Sequence, residues 1–196
     1  MLITPSLYES YYYYVNSDLK TTEDFLKVLR KEETEKTQAM LNGIKFENEI
    51  RDICEGRQSF QEGTSYETIS NIVKGGFWQE RVKKPFGNYL LYGVCDVIKD
   101  DTIYDVKYCS GTYEDGKYNH SIQHLVYMYC TGMPRFQYLI SKYDYKETYI
   151  EEHSWSIDGE NELKAKIFEL VSFLEGNAEF SKAFHEYWEA KDETGD

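Results

Sequence analysis

Asp96, Asp105 and Lys107 stand in the stretch Asn88 to Cys109, NYLLYGVCDVIKDDTIYDVKYC, where two apolar, aromatic-rich runs flank the polar break Lys99-Asp100-Asp101-Thr102. That pattern is how a β-hairpin looks in sequence. If the turn is centred between Asp100 and Asp101, Asp96 falls directly across from Asp105, with Cβ atoms roughly 5 Å apart. Lys107 lies two positions beyond Asp105, so strand alternation puts its ammonium on the same face. Val94, Ile98 and Ile103 on that face are apolar, as are Cys95, Val97, Tyr104 and Val106 on the other, so both faces are expected to be covered. Carboxylates crowded in a covered sheet lose hydration and repel each other, and must take up a proton or gather around a cation. With a lysine beside them, a hard divalent metal held by oxygen ligands is preferred over a structural ion cluster.

The elements that must position this hairpin are legible in outline. Pro5 to Val15 reads as a short aromatic helix, and Thr21 to Asp24 offers a variant capping box before Phe25, Leu26, Val28 and Leu29. A helix from about Thr37 to Cys54 would have Met40, Leu41, Ile44, Ile50 and Ile53 as its apolar side, and Gly56 to Gly63 breaks the pattern. Strands are expected at about Phe77 to Lys83, Tyr89 to Ile98 and Thr102 to Tyr108, then a helix from Asn119 to Cys130 ended by Gly132 and Pro134. Two further strands, Phe136 to Tyr143 and Thr148 to Trp155, precede helices over Gly159 to Leu174 and Ala178 to Ala190, the last capped by Asn177. The order is α/β with a mixed central sheet of about five strands flanked by helices, in a single domain. A helical part spans 1–56, the core 57–156 and the closing helices 157–190, with a frayed polar tail at 191–196.

Four elements in order now resemble a known family. Gly93-Val94-Cys95-Asp96, a turn, and Asp105-Val106-Lys107 are similar to the core of the PD-(D/E)XK nuclease superfamily, whose fold is the restriction-endonuclease-like core. Gly43-Ile44-Lys45-Phe46-Glu47 resembles its helical GxxxE element, and Gln123-His124-Leu125-Val126-Tyr127 the QxxxY element of the RecB-type and lambda-exonuclease-like branch. The resemblance implies a Mg²⁺- or Mn²⁺-dependent deoxyribonuclease of the exonuclease-like branch, serving recombination, repair or mobile-element DNA metabolism, with exonuclease versus endonuclease action left open. It implies that Asp96, Asp105 and Glu47 hold the metal, that the Val106 carbonyl adds a ligand, and that Lys107 orients water or stabilises developing charge. Glu49 points about 200° away from Glu47 on a helix, so Glu47 is the preferred acid. Gln123 and Tyr127, four apart, share a helical face and are assigned to substrate positioning. The cysteines lack the lone-plus-three grouping with which some relatives bind an iron-sulfur cluster, and none is expected.

Other residues leave their readings open. Arg81 and Lys83 share a strand face that suits either a DNA phosphate track or a solvated edge that discourages aggregation. His120 and His124 lack the further ligands of a zinc motif, so a helix-start residue and a surface residue are expected. Trp155, Phe184 and Trp188 read as core.

A formal net charge of -13 over 196 residues opposes nonspecific coating of nucleic acid, though not a local basic patch. It also motivates a competing reading, a nuclease-fold protein that does not cut and binds a protein partner through its acidic surface. Cys54, Cys95, Cys109 and Cys130 show no CxxC spacing and no secretory leader precedes them, so reduced thiols in a cytoplasmic protein are expected. No apolar run reaches membrane-spanning length, so no membrane partner is expected. A recombination or replication protein partner and a homo-oligomer are both compatible with the sequence.

Overall fold

The computed structural model describes residues 1–189, and the tail expected at 191–196 lies outside them. Helix α1 (Pro5–Asn16) starts on a Thr4 cap with proline in its first turn, where a missing N–H costs nothing. Helix α2 (Thr22–Leu29) carries the capping box, Thr21 and Asp24 each satisfying the other's backbone amide. Helix α3 (Gln38–Cys54) is capped by Thr37. Its buried stripe is Phe46, Ile50 and Ile53, whereas Met40, Leu41 and Ile44, expected on the covered side, are exposed. The apolar pattern overran the length of helix that finds a partner.

Helix α4 (Ser65–Val73) is absent from the sequence reading. Its signal was present: Glu67, three residues beyond Thr64, accepts from the Gly63 amide at 2.7 Å, and Ile69 and Val73 recur at helical spacing on its buried face. Strands β2 (Phe77–Phe86), β3 (Tyr89–Lys99) and β4 (Thr102–Cys109) follow where expected. Helix α5 (Gln123–Thr131) is shorter than the pattern indicated, its C-cap being Gly132 in the left-handed region. Strands β5 (Arg135–Lys142) and β6 (Thr148–Ser154) precede helix α6 (Ile157–Glu175) and helix α7 (Ala178–Tyr187), the latter capped by the Asn177 side chain. With the two-residue strand β1 (Leu2–Ile3), the sheet has six strands in the order β1-β3-β4-β5-β6, with β2 added alongside β3.

The sheet is mixed. The β4/β5 and β1/β3 pairs run parallel and the β2/β3, β3/β4 and β5/β6 pairs antiparallel. Two apolar layers cover it. The larger joins β1, α1, α2, α5, α6 and α7 through residues such as Leu7, Phe25, Leu125, Leu163 and Phe184. The smaller sets α3 and α4 against Val97, Val106 and Leu139. Phe184 and Trp188 are buried as expected, and Trp155 is partly buried against the larger layer.

Strand alternation holds along β4 and β5 but fails in β3. Cys95 packs in the larger layer while Val97, two residues on, packs in the smaller. The expectation that both share a face is corrected here. In β2 the same switch separates Val82 from Trp78, and between them Gln79 has φ +56. A residue in the left-handed region rotates the strand about its axis, so the side chains beyond it change faces.

His124, expected on the surface, is 5 % exposed. Its ring stacks on His153 at 3.9 Å between centroids. Burial, with smaller contributions from His153 and Lys166, pushes its pKa down to about 3. Between that value and the ordinary histidine pKa of about 6.5 the unfolded chain takes a proton that the native protein refuses, so acidification costs stability. His124→Phe is expected to remove this cost, gaining on the parent by about 2 kcal/mol between pH 7.5 and pH 5 in urea unfolding. A difference that stays constant across that range would show that His124 is protonated in the native state. His120 precedes α5 and stacks on Tyr12 at 4.6 Å.

Candidate active site

The site begins where the β3/β4 ladder stops. Lys99↔Thr102, Ile98↔Ile103 and Val97↔Tyr104 are paired in the expected register, which would continue to Asp96 and Asp105. No pairing forms beyond Val97 and Tyr104. The Asp96 carboxylate instead takes the place of a backbone acceptor, with Oδ2 accepting from the Val106 amide at 2.9 Å.

Asp105 is fully buried. Its Oδ1 accepts from Gln123 Nε2 at 2.5 Å, and its Oδ2 lies 2.6 Å from Lys107 Nζ. That second contact is an ion pair without hydrogen-bond alignment, since Oδ2 is buried and receives no directed bond. Burial raises the Asp96 pKa well above the usual carboxylate range, and Asp105 adds to the effect. For Lys107 burial works in the opposite sense, yet Asp105 and Asp96 outweigh it and hold the ammonium well above its ordinary pKa. In the metal-free site the two acids thus favour the charged ammonium.

Glu47 arrives from the other side of the sheet, on α3. Burial first, then Asp105, raises its pKa, while Lys107 and a hydrogen bond from Gln79 oppose the rise. Glu49 is turned away, its Oε2 accepting from Tyr66 Oη at 2.7 Å, as the helical angle required. Gly43, the first residue of the GxxxE-like element, has open space where a Cβ would stand, so packing does not demand glycine there. Gln123 reaches both Asp105 and, at 3.3 Å, Tyr127 Oη. Tyr127 is 5 % exposed, and its ring occupies the place of a Gly93 side chain. A Cβ on Gly93 would lie 2.2 Å from Tyr127 Cε1, which explains the glycine of the Gly-Val-Cys-Asp run by close approach of α5 to β3.

The structure thus brings together Asp96, Asp105, Lys107, Glu47, Val106, Gln123 and Tyr127. Arg81 and Lys83 are exposed on β2 and line a separate groove of about 640 Å³ with Leu2, Tyr92, Tyr187 and Glu189, a groove that none of the clustered acids borders. Sequence reasoning missed Gln79, whose Nε2 donates to Glu47 Oε1 at 2.5 Å. No residue pattern announces it, because its reach depends on a backbone turn inside a strand.

Among the described residues no three acidic, histidine or cysteine side chains stand as a ready-made ligand set. Each acid is occupied by a protein donor: Asp96 by the Val106 amide, Asp105 by Gln123 and Lys107, and Glu47 by Gln79. Such a cluster could give up the ammonium for a hard cation while the amide donors keep the carboxylates in place.

No family model matches the chain, and neither does any curated protein. Among solved structures, the alkaline exonuclease LHK-Exo of Laribacter hongkongensis is similar at 14 % identity and a TM-score of 0.57, over 94 % of this chain and 92 % of that one. The same enzyme in complex with dAMP gives a TM-score of 0.55 at 12 % identity, over 94 % and 92 % of the two chains. An exonuclease candidate from Eubacterium rectale gives 0.57 at 14 % identity, over 99 % and 91 %. Across nearly its whole length, the chain has the fold seen in an alkaline exonuclease.

Proposed function

We propose that the protein is a Mg²⁺- or Mn²⁺-dependent DNA nuclease of the PD-(D/E)XK type, acting on DNA ends as an exonuclease in recombination, repair or mobile-element metabolism. The observation that carries this reading is the meeting of Asp96, Asp105, Lys107 and Glu47 at the point where β3 parts from β4. The fold shared with an exonuclease that has been seen with a bound mononucleotide, dAMP, agrees with it.

The donor types suit a hard divalent ion. They are carboxylate oxygens, and Asp105 Oδ2 already faces a cation, the Lys107 ammonium at 2.6 Å. Asp96, Asp105 and Glu47 would hold the ion, with the Val106 carbonyl as a further ligand. When bound, it would supply a hydroxide-like water at neutral pH and charge relief at phosphorus. Lys107 would stabilise the negative charge that grows on the phosphoryl oxygens and orient the attacking water. Gln123 fixes the rotamer of Asp105 through its amide, and Tyr127 holds α5 against Gly93 so that this amide stays in reach. Arg81 and Lys83 would meet phosphates only where a strand runs on beyond the acids into their groove.

A net charge of -13 favours a second reading, the non-cutting binder of a protein partner. Incubation with linear, circular, single-stranded and end-blocked DNA separates the two. Loss of linear DNA with Mg²⁺ or Mn²⁺, blocked by chelator and absent on circles, is expected. Intact substrates under every condition would leave the binder.

A further inference from the structure

The residue that faces Asp96 across the β2/β3 pair is Gln79. Trp78 opposes Val97 and Glu80 opposes Cys95, and the pair between them is the one place in that stretch where no ladder partner forms. Gln79 has φ +56, a conformation that costs a side chain with a Cβ on the order of 1 kcal/mol or more. Nothing at this position is a hairpin turn, since the chain continues as strand on both sides. Glycine would adopt the same backbone freely, yet glutamine stands there. Its amide nitrogen donates to Glu47 Oε1 at 2.5 Å, joining the second strand to the acid that α3 brings from the far layer. The same turn switches β2 between layers, so that Trp78 lies with α3 while Val82 lies with the α5 side.

We infer that Gln79 is a positioning residue: its strained backbone aims its amide at Glu47 and sets the orientation in which that carboxylate faces Asp105 and Asp96. The inference rests on the metal-nuclease reading of the same site. Glu47 sits on a helix whose preceding turns are uncovered, at Met40, Leu41 and Ile44, so α3 alone does little to fix its rotamer. With Oε1 engaged by Gln79, Oε2 is the oxygen left to turn toward the acids. Outer contacts of this kind change metal affinity by about 10- to 100-fold when removed.

The test compares the full chain with Gln79→Gly, Gln79→Asn, Glu47→Gln and the Glu47→Gln/Gln79→Gly pair. Mn²⁺ uptake is measured by calorimetry, and thermal unfolding is followed without metal. Glycine accepts the left-handed backbone and asparagine tolerates it, but glycine lacks the amide and asparagine carries it one methylene short. Both variants should therefore keep or exceed the parental Tm while Mn²⁺ affinity falls at least about tenfold. In the Glu47→Gln background Gln79→Gly should add nothing to the loss. Parental Mn²⁺ affinity in both Gln79 variants would overturn the role of Gln79 alone, as would a Tm that falls in step with the affinity, which marks a merely structural residue. A parent that takes up no Mn²⁺ would overturn the metal site and the role of Gln79 with it.

Discussion

Lys107→Ala is expected to slow metal-dependent degradation of linear DNA by about 10²- to 10⁴-fold while leaving Mn²⁺ uptake intact. The ammonium stands 2.6 Å from Asp105 Oδ2 in a site from which most water is excluded, and there a fixed cation stabilises developing negative charge far more than it could in solvent. Removing it also removes a competitor for the Asp105 carboxylate, so the variant should bind Mn²⁺ at least as tightly as the parent. Without metal the consequence reverses. Asp105 is left buried with Gln123 as its remaining donor, and the repulsion between Asp96 and Asp105 is no longer offset. The apo variant should therefore melt below the parent and recover more on addition of Mn²⁺. Single-turnover cleavage, calorimetry and thermal unfolding with and without the ion measure the three quantities, and a variant that cuts at the parental rate would remove Lys107 from the chemistry.

Asp105→Asn should abolish Mn²⁺ uptake and cleavage together. Asparagine keeps the shape and can still accept from Gln123, but it gives up the charge that a hard cation requires and that Lys107 is paired with. Lys107, whose side chain is 29 % exposed, then holds a mostly desolvated charge with no partner at Asp105. An uncompensated buried charge costs several kcal/mol, and partial exposure brings the expected loss of stability to about 1–3 kcal/mol. The burden on Asp96 falls at the same time, since Asp105 is one of the causes of its raised pKa. A folded variant, verified by circular dichroism, that binds Mn²⁺ with parental affinity would show that the ion, if it binds, sits elsewhere. The two substitutions thus dissociate: one spares the ion and loses the rate, the other loses both.

Much of this site was legible before any coordinates. The register across Asp100-Asp101 followed from the alternation of apolar residues about a polar turn, and the structure has it at Val97↔Tyr104 and the two pairs beyond. The choice of Glu47 over Glu49 needed only the angle between helix positions, and Tyr66 now occupies the acid that was set aside. Caps at Thr21 and Asn177 are local hydrogen bonds between near neighbours, so they too could be read directly. Local spacing determines such features because the partners are fixed by the chain's own geometry.

What the sequence could not decide depends on partners distant along the chain. The stripe Met40, Leu41 and Ile44 has the periodicity of a buried face, but burial requires another element to cover it, and the three side chains stay exposed. His124 has the composition of a surface residue and is enclosed because α5 lies over β5 and β6, where it meets Phe136 and His153. Gly93 opens the Gly-Val-Cys-Asp run in the sequence, but the physical need for glycine shows only where Tyr127, from a helix thirty-odd residues later, fills the space of its side chain. The sequence by itself determined which residues carry charge and which strand or helix holds them. Only the tertiary structure decided that the ladder ends at Asp96, that Gln79 turns out of line opposite it, and that Glu47 crosses from the far layer to meet Asp105, because each of these is a choice between backbone pairing and a side-chain contact made over a long stretch of chain.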